Sequence, residues 1–267
     1  MNQLRKNSGD TIVSALNLTE EPVRIFWTGG WDSTFQLLTL VFDKKVVVEP
    51  HYLIDEGRAS SSTEMATMER LRRMIFDVSD ETKVLLLPTV LFPVTAVPDC
   101  CQVTGAYQRI KKQAFLGSQY EWLARYCEYK GLNKVQLCIE KDTKPHRVIA
   151  HTLISTQGDP HTLMLDEQSS DKDIYSVFKY FDFPILAISK IDMVKTSASR
   201  GWTDFMTNTW FCHSPKRGEP CGLCNPCKAT IADGLGWRVP LRRRLIGSAK
   251  GYVRDAIRKI KLFFASA

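Results

Sequence analysis

A short run of glycine and hydroxyl residues near the N-terminus has the composition of a phosphate-binding loop. It reads Thr28-Gly29-Gly30-Trp31-Asp32-Ser33 and directly follows the apolar run Val23 to Trp27. Two adjacent glycines let backbone N–H groups approach an anion closely, and a helix that begins after them adds the positive end of its dipole. Thr28 and Ser33 add hydroxyl donors, and Asp32 can hold a magnesium ion or orient a nucleotide. The loop therefore predicts a triphosphate site.

The same loop excludes two common classes of nucleotide-binding protein. No Gly-Lys-Ser/Thr follows the glycines, so the loop is not a Walker A sequence, and the chain contains no Gly-x-Gly-x-x-Gly dinucleotide motif. One structural alternative stays open at this point, since Gly-Gly-x-Asp-Ser also occurs as a plain turn with a helix cap.

Four cysteines near the C-terminal end have the spacing of a metal site. They are Cys212, Cys221, Cys224 and Cys227, in the pattern C-x8-C-x2-C-x2-C, with glycine and proline between them for tight turns. Four thiolates can surround one tetrahedral zinc ion and leave no coordination position open, so the spacing predicts a structural zinc knuckle with His213 as a bystander. An iron–sulfur cluster and free buried thiols remain as alternatives.

The segment from Phe26 to Thr34 resembles the signature of the PP-loop ATP pyrophosphatase superfamily, the adenine nucleotide alpha hydrolases. The first serine of that signature is Thr28 here, and Trp31 fills its variable position. The resemblance implies that ATP activates a carbonyl oxygen and that its phosphates, with Mg²⁺, are held by the loop. The implied ATP-binding residues are Thr28, Gly29, Gly30, Trp31, Asp32, Ser33 and Thr34.

A second resemblance narrows the superfamily to one member. Thr209-Trp210-Phe211-Cys212 and Cys221-Gly222-Leu223-Cys224-Asn225-Pro226-Cys227 are similar to the C-terminal elements of the 7-cyano-7-deazaguanine synthase family of queuosine biosynthesis. The likeness covers about Arg24 to Lys228 and implies a C–N ligase in which ammonia attacks an activated carboxylate to give an amide and then a nitrile. The catalytic residues carried over are Asp32, Ser33 and Lys190, and Asp55 is expected to contact ribose or base.

The substrate region departs from that family. The Arg-Asn pair and the Gly-Tyr-Pro-Asp-Cys-Arg segment that contact the deazapurine are absent. The acceptor is therefore expected to be a 7-deazapurine-like acid or another carboxylate. Two further functions remain open: an RNA thiolase that carries sulfur on Cys100 or Cys101, and a non-catalytic ATP-binding or scaffold protein.

The elements that must position these residues alternate along the chain. Apolar runs predict strands at Val23 to Trp27, Val46 to Ile54, Val84 to Leu87 and Val135 to Ile139. Helices are predicted for Thr34 to Phe42, from Ser62 onward, for Ala106 to Tyr129 and for Lys172 to Tyr180. This alternation predicts an α/β fold, and the resemblance makes it Rossmann-like (HUP-type), with a parallel sheet and flanking helices.

Composition divides the 267 residues into four predicted parts: a polar segment 1–20, an ATP-binding α/β domain 21–196, a zinc-binding region 197–237 and a basic tail 238–267. Residues 1–20 lack the apolar core of a signal peptide, which predicts a cytoplasmic protein. The net charge of +7 comes from the tail, where nine Lys and Arg face one acid.

Apolar residues of the tail, among them Leu241, Leu245 and Ile257, fall on one helical face. This pattern predicts a basic amphipathic helix that contacts an anionic membrane surface or a protein partner, with nucleic acid less favoured. A helix packed on the protein's own body is the alternative. The sequence leaves the oligomeric state open, including a homo-oligomer.

Overall fold

The computed structural model describes residues 21–141, 143–156, 159–168 and 171–247. The predicted polar segment 1–20 and the tail from residue 248 onward, with its proposed amphipathic helix, lie outside the described residues. Within them the chain forms a mixed α/β structure with one central sheet and flanking helices.

The sheet contains seven described strands and is mostly parallel. The strands are β1 Val23–Phe26, β2 Val48–Ile54, β3 Val90–Pro93, β4 Val135–Gln136, β5 Leu153–Thr156, β6 Asp159–Leu165 and β7 Phe181–Phe183. Their order is β3-β2-β1-β4-β7-β6-β5. In this spatial order the first five strands, β3 to β7, are parallel to one another. Strand β6 runs antiparallel to both of its neighbours, β7 and β5.

Helices connect the strands and cover the sheet. They are α1 Trp31–Leu38, α2 Ser61–Phe76, α3 Asp80–Leu85, α4 Cys101–Gln113, α5 Gln119–Lys130, α6 Lys144–Ile149, α7 Lys172–Phe178, α8 Lys190–Ser199, α9 Thr203–Thr207 and α10 Asn225–Thr230. A π-helical segment, Thr39–Lys44, continues α1, and residues 241–247 are also helical.

Both faces of the sheet are buried, as is usual for parallel strands. Successive residues of a strand point to opposite faces, so Phe26 lies in one apolar cluster while Ile25 and Trp27 lie in the other. The Phe26 cluster also holds Tyr107 and Phe178, and the Trp27 cluster holds side chains from α1 and α2. The apolar run before the glycines is therefore a central strand.

Several predicted elements are confirmed and others are wrong. The strand, glycine turn and helix at Val23 to Phe42 form, and so does α7. Val84 to Leu87 is not a strand, because α3 extends to Leu85 and the third strand forms at Val90–Pro93. A short apolar run does not distinguish a buried strand from a buried helix, and Thr82 favours the helix by donating to the Ile75 and Ser79 carbonyls.

The predicted helix Ala106 to Tyr129 is two helices. Residue Ala114 is extended, and α4 and α5 are separated by the turn that contains Gly117. Tyr107 donates to the Leu116 carbonyl across this turn. The antiparallel strands β5 and β6 lie in the segment for which the sequence made no strand prediction. No helix of the described residues is long and apolar enough to cross a membrane.

One buried hydrogen bond joins β1 to α1 and yields a testable prediction. The indole N–H of Trp27 donates to the Thr34 hydroxyl at 3.0 Å, and both residues are fully buried. Thr34→Val keeps the volume but removes the acceptor, so we expect a loss of about 1–3 kcal/mol in the free energy of unfolding, measured by urea titration. Thr34→Ser keeps the hydroxyl and is the matched control. If Thr34→Val lowers the free energy of unfolding no more than Thr34→Ser does, this hydrogen bond does not stabilise the contact between the strand and the helix.

Candidate functional site

The glycine turn has the backbone geometry of an anion site. Gly29 adopts φ 68°, in the left-handed region, and Gly30 is extended and caps α1. A Cβ at Gly29 would lie 3.0 Å from Cγ2 of Thr67, so the turn is closely packed against α2. The first N–H groups of a helix have no partner within it, and here they open at the end of β1. The turn can therefore present backbone donors to an anion.

Two cavities meet at this turn. We name them the aromatic cavity, of about 260 Å³, and the polar cavity, of about 280 Å³. The aromatic cavity is defined by Phe26, His51, Tyr52, Tyr120 and Trp122, and the polar cavity by Glu140, Lys190, Asp233 and Arg238. Six residues line both: Thr28, Gly30, Trp31, Asp32, Arg58 and His213. The turn thus forms the boundary between an apolar and a charged compartment.

Most of the predicted site residues border these cavities. Ser33 and Asp55 line the aromatic cavity, and Lys190 lines the polar one. Gly29 has no side chain to offer a ligand. Its carbonyl accepts a hydrogen bond from the backbone N–H of Trp210 at 2.9 Å. Thr34 is a correction: it is fully buried, lines neither cavity, and its hydroxyl accepts from Trp27. Its position one turn into α1 directs it toward the core.

A partly buried lysine connects two carboxylates beside the turn. Lys190 Nζ forms an ion pair with Asp32 and lies 3.2 Å from the Glu140 carboxylate. Burial acts to lower the pKa of Lys190, but the charges of Asp32 and Glu140 outweigh it and the pKa is raised. Burial also raises the pKa of Glu140 and Asp233, although Lys190 acts against both shifts. A fixed ammonium charge therefore stands next to the turn.

The sequence predicts Lys190 and its partner Asp32 as site residues, but not the neighbouring acids Glu140 and Asp233. Lys190 is the first residue of α8, and Ser189 caps the helix in a capping box with Asp192. Glu140 follows β4, and Asp233 comes from the segment after α10. Neither was predicted as a site residue, because nothing in their neighbouring sequence marks them.

The four predicted cysteines are brought together. All four sulfur atoms lie within 4.8 Å of one another among the described residues. The Cys212–Cys224 and Cys221–Cys227 sulfur pairs are 3.8 and 3.9 Å apart. A tetrahedral ion with metal–sulfur bonds of about 2.3 Å places its ligands about 3.8 Å apart, so the group fits zinc.

Backbone donors support the thiolate form of this cluster. The N–H of Cys221 donates to Cys212 Sγ, and the N–H groups of Leu223 and Cys224 donate to Cys221 Sγ. Such hydrogen bonds stabilise metal-bound thiolates. The donor set and its distances are therefore those of a structural metal knuckle.

The knuckle forms one wall of the polar cavity. The backbone N–H of Trp210 donates to the Gly29 carbonyl. The guanidinium of Arg238 donates to the carbonyl and hydroxyl oxygens of Thr209. His213, which the sequence indicated to be a bystander, lines both cavities. Burial lowers the pKa of His213, and Arg58 lowers it further. The imidazole is thus favoured in its neutral form, one residue after a cysteine of the cluster.

The cysteines of the RNA thiolase alternative lie elsewhere. Cys100 is partly buried and Cys101 is exposed at the start of α4, and neither lines the aromatic or the polar cavity. Cys138 does line the aromatic cavity. Burial raises the pKa of its thiol well above the usual value, so it is held as the weakly nucleophilic thiol. Neither the position of Cys100 and Cys101 nor the raised thiol pKa of Cys138 favours a role in sulfur transfer.

Comparison with known proteins adds no relative. No protein-family model, curated protein or solved structure matches the chain. The superfamily assignment therefore rests on the local resemblances at Phe26 to Thr34 and Thr209 to Cys227, and it stays a prediction.

The metal cluster gives the second prediction. We expect purified protein to contain about one zinc ion per chain, and Cys224→Ser to lose it together with thermal stability. Zinc is measured by elemental analysis and the unfolding midpoint by circular dichroism. Cys101→Ser is the matched control and should keep both values. Iron with visible absorption, or full stability after removal of all metal by a chelator, would contradict a structural zinc site.

Proposed function

We propose that this chain is an ATP-dependent enzyme of the PP-loop type that activates a carboxylate for attack by ammonia, in the manner of 7-cyano-7-deazaguanine synthases. One observation carries the proposal: a left-handed glycine turn opens α1 at the carboxyl end of β1, between an aromatic and a charged cavity. A nucleotide needs these three environments together, for its base, its phosphates and the reacting group.

The topology supports this position. The chain builds β2 and β3 on one side of β1 and then returns to place β4 on the other. In open α/β sheets, ligands bind in the crevice outside the carboxyl ends of the strands where the order reverses. Phe26, Leu53 and Leu137 line the aromatic cavity from the ends of these central strands. This arrangement is what the Rossmann-like, HUP-type prediction requires.

The aromatic cavity and the turn favour one orientation of the bound nucleotide. Its base and ribose occupy the aromatic cavity, where Asp55 contacts the sugar or base. Its phosphates turn toward the free N–H groups of α1 and the hydroxyls of Thr28 and Ser33. Asp32 lies where phosphate and a magnesium ion would meet, and Mg²⁺ commonly takes one or two carboxylates plus phosphate oxygens.

The reaction follows from this placement. A carboxylate oxygen of the acceptor attacks the α- or γ-phosphorus of ATP, and the P–O bond to the leaving pyrophosphate or ADP, respectively, breaks with its electron pair. Lys190 stabilises the charge that develops on the phosphate oxygens. Ammonia then attacks the activated carbonyl carbon, the C–O bond to the leaving AMP or phosphate breaks with its electron pair, and loss of a proton from nitrogen gives the amide. The protein contributes orientation and electrostatics.

The third prediction tests the role of Lys190. Glu140→Gln combined with Lys190→Gln removes one charge of each sign, so we expect the fold to persist. The turnover number for ATP should fall by about 10²–10³, because a fixed positive charge is lost beside the leaving group. The assay combines ATP, Mg²⁺, ammonium and 7-carboxy-7-deazaguanine, and detects nitrile with AMP or ADP.

The control is Lys195→Gln on the same helix, where the side chain is exposed and turnover should be unchanged. ATP binding without turnover in the wild-type protein would favour the non-catalytic alternative. Full turnover in the double variant would show that Lys190 has no catalytic role.

The start of the tail supports a membrane-surface contact as well. Trp237, Leu241 and Leu245 are 60–63% exposed, and the chain beyond residue 247 continues the basic amphipathic pattern. Large apolar side chains among arginines are typical of helices that lie in an anionic lipid interface. Peripheral membrane attachment is therefore proposed for this end of the chain.

The fourth prediction follows from this exposure. Full-length protein should float with liposomes that contain phosphatidylserine and much less with liposomes of phosphatidylcholine alone. Leu241→Ser with Leu245→Ser should abolish flotation without changing the zinc content. Equal absence of wild-type protein from both liposome fractions would remove the membrane proposal.

A further inference from the structure

A partly buried arginine without an acidic partner in the described residues lies in the wall of the polar cavity. The guanidinium of Arg238 lies over two aromatic rings, at 5.0 Å from the centroid of Trp31 and 4.7 Å from that of Phe211. Its Nη2 donates to the carbonyl oxygen of Thr209 at 2.6 Å and to the Thr209 hydroxyl at 2.7 Å. These contacts fix the plane and the direction of the guanidinium group.

The charge of Arg238 has no counterion in the described part of the chain. No carboxylate lies within ion-pair distance of it there, whereas Arg24, Arg109 and Arg125 each pair with an acid. Burial lowers the pKa of Arg238 to about 10, against a smaller opposing effect of Asp32. The group is therefore still charged at neutral pH. A buried charge that stays unpaired is costly, so the site favours an anion from outside the chain.

A second donor in the same wall is also unsatisfied. Trp31 is 8% exposed and lines both cavities, and its indole N–H has no hydrogen-bond partner within the described residues. Buried polar groups normally have partners, and an exception calls for an explanation such as a ligand. The guanidinium of Arg238 lies over the Trp31 ring, so the unpartnered indole N–H and the unpaired guanidinium charge lie in the same wall of the cavity.

We propose that Arg238 and Trp31 hold the carboxylate of the acceptor in the polar cavity. A planar guanidinium offers paired N–H donors that match the two oxygens of a carboxylate. This inference rests on the proposed function, because it assigns the acceptor to one cavity and the nucleotide to the other. It predicts that the acceptor presents a carboxylate group to Arg238 in the polar cavity.

The charges of the polar cavity favour a carboxylate over a polyphosphate. Four acids line it, Asp32, Glu64, Glu140 and Asp233, against the three cations Arg58, Lys190 and Arg238. A triphosphate placed wholly inside the polar cavity would be repelled by this acidic lining, so of its charged residues the phosphates contact only Asp32 and Lys190 beside the turn. One negative charge at Arg238, by contrast, is balanced locally. The acceptor carboxylate then lies beside Trp31, which directly follows the turn that receives the phosphates.

The test uses full-length, zinc-loaded protein and two probes, sodium benzoate and ATP with Mg²⁺. Benzoate binding is followed by the ¹⁵N–¹H signal of the Trp31 indole, assigned with Trp31→Phe, and ATP binding by calorimetry. We expect a saturable shift with benzoate that weakens at least about tenfold in Arg238→Gln, while ATP affinity stays within about twofold. Arg242→Gln removes an exposed arginine charge and is the matched control. Arg238→Lys, which keeps the charge but loses the paired donors, should also weaken benzoate binding.

Three results would overturn the inference: no saturable shift in the wild-type protein, equal benzoate affinity in the folded Arg238 variants, or a loss of ATP affinity in place of benzoate affinity. The last result would assign Arg238 to a nucleotide phosphate. If ATP does not bind but the benzoate shift persists and depends on Arg238, the proposed function fails while the anion site stands. Zinc content and the thermal midpoint of each variant confirm that it is folded.

Discussion

The left-handed turn at Gly29 is the constraint that links the sheet, the first helix and the metal knuckle. Its positive φ turns the end of β1 into the start of α1, and its carbonyl receives the N–H of Trp210. Thr67 packs so closely against it that only glycine fits without displacement. A side chain at this position would disturb the helix start and the docked knuckle together, and both border the cavities.

The knuckle matters to the site although its cysteines do no chemistry there. A metal ion at the four thiolates would fix the short segment that carries Trp210, Phe211 and His213, and these residues line the polar cavity. Ion binding is thereby coupled to the shape of the proposed acceptor site, because the cysteine ligands adjoin the residues that line it. The helical residues 241–247 pack closely on the knuckle, where Gly222 leaves no room for a Cβ beside the Arg243 carbonyl. The basic tail thus starts from a fixed point of the fold.

Sequence reasoning succeeded where the chemistry is local. The β1 strand, its glycine turn, the start of the following helix and the cysteine spacing each depend on neighbouring residues, and the structure forms all of them. The prediction of a strand at Val84 to Leu87 was wrong. This short apolar run was ambiguous in the sequence, and its first part forms the buried end of helix α3. Thr34 matches the phosphate-loop pattern by type, but the helix directs its hydroxyl to Trp27.

The missed site residues share a different cause. Arg58, Glu140, Asp233 and Arg238 come from four separate segments, and each is an ordinary charged residue in its own sequence context. Only the parallel sheet and the returning C-terminal segment bring them to one cavity. Charge pairing across such distances leaves no periodic or spaced pattern in a single sequence, so the polar cavity could not be predicted before the fold.

Binding of nucleotide phosphate to the free amides at the start of α1 can be measured by amide hydrogen exchange. Zinc-loaded protein is compared with and without ATP and Mg²⁺, with exchange followed for the amides of Trp31, Asp32 and Ser33. We expect nucleotide to slow exchange at these amides, because phosphate oxygens become their hydrogen-bond acceptors. Unchanged exchange at the turn in folded protein, under ATP concentrations that saturate comparable sites, would contradict it.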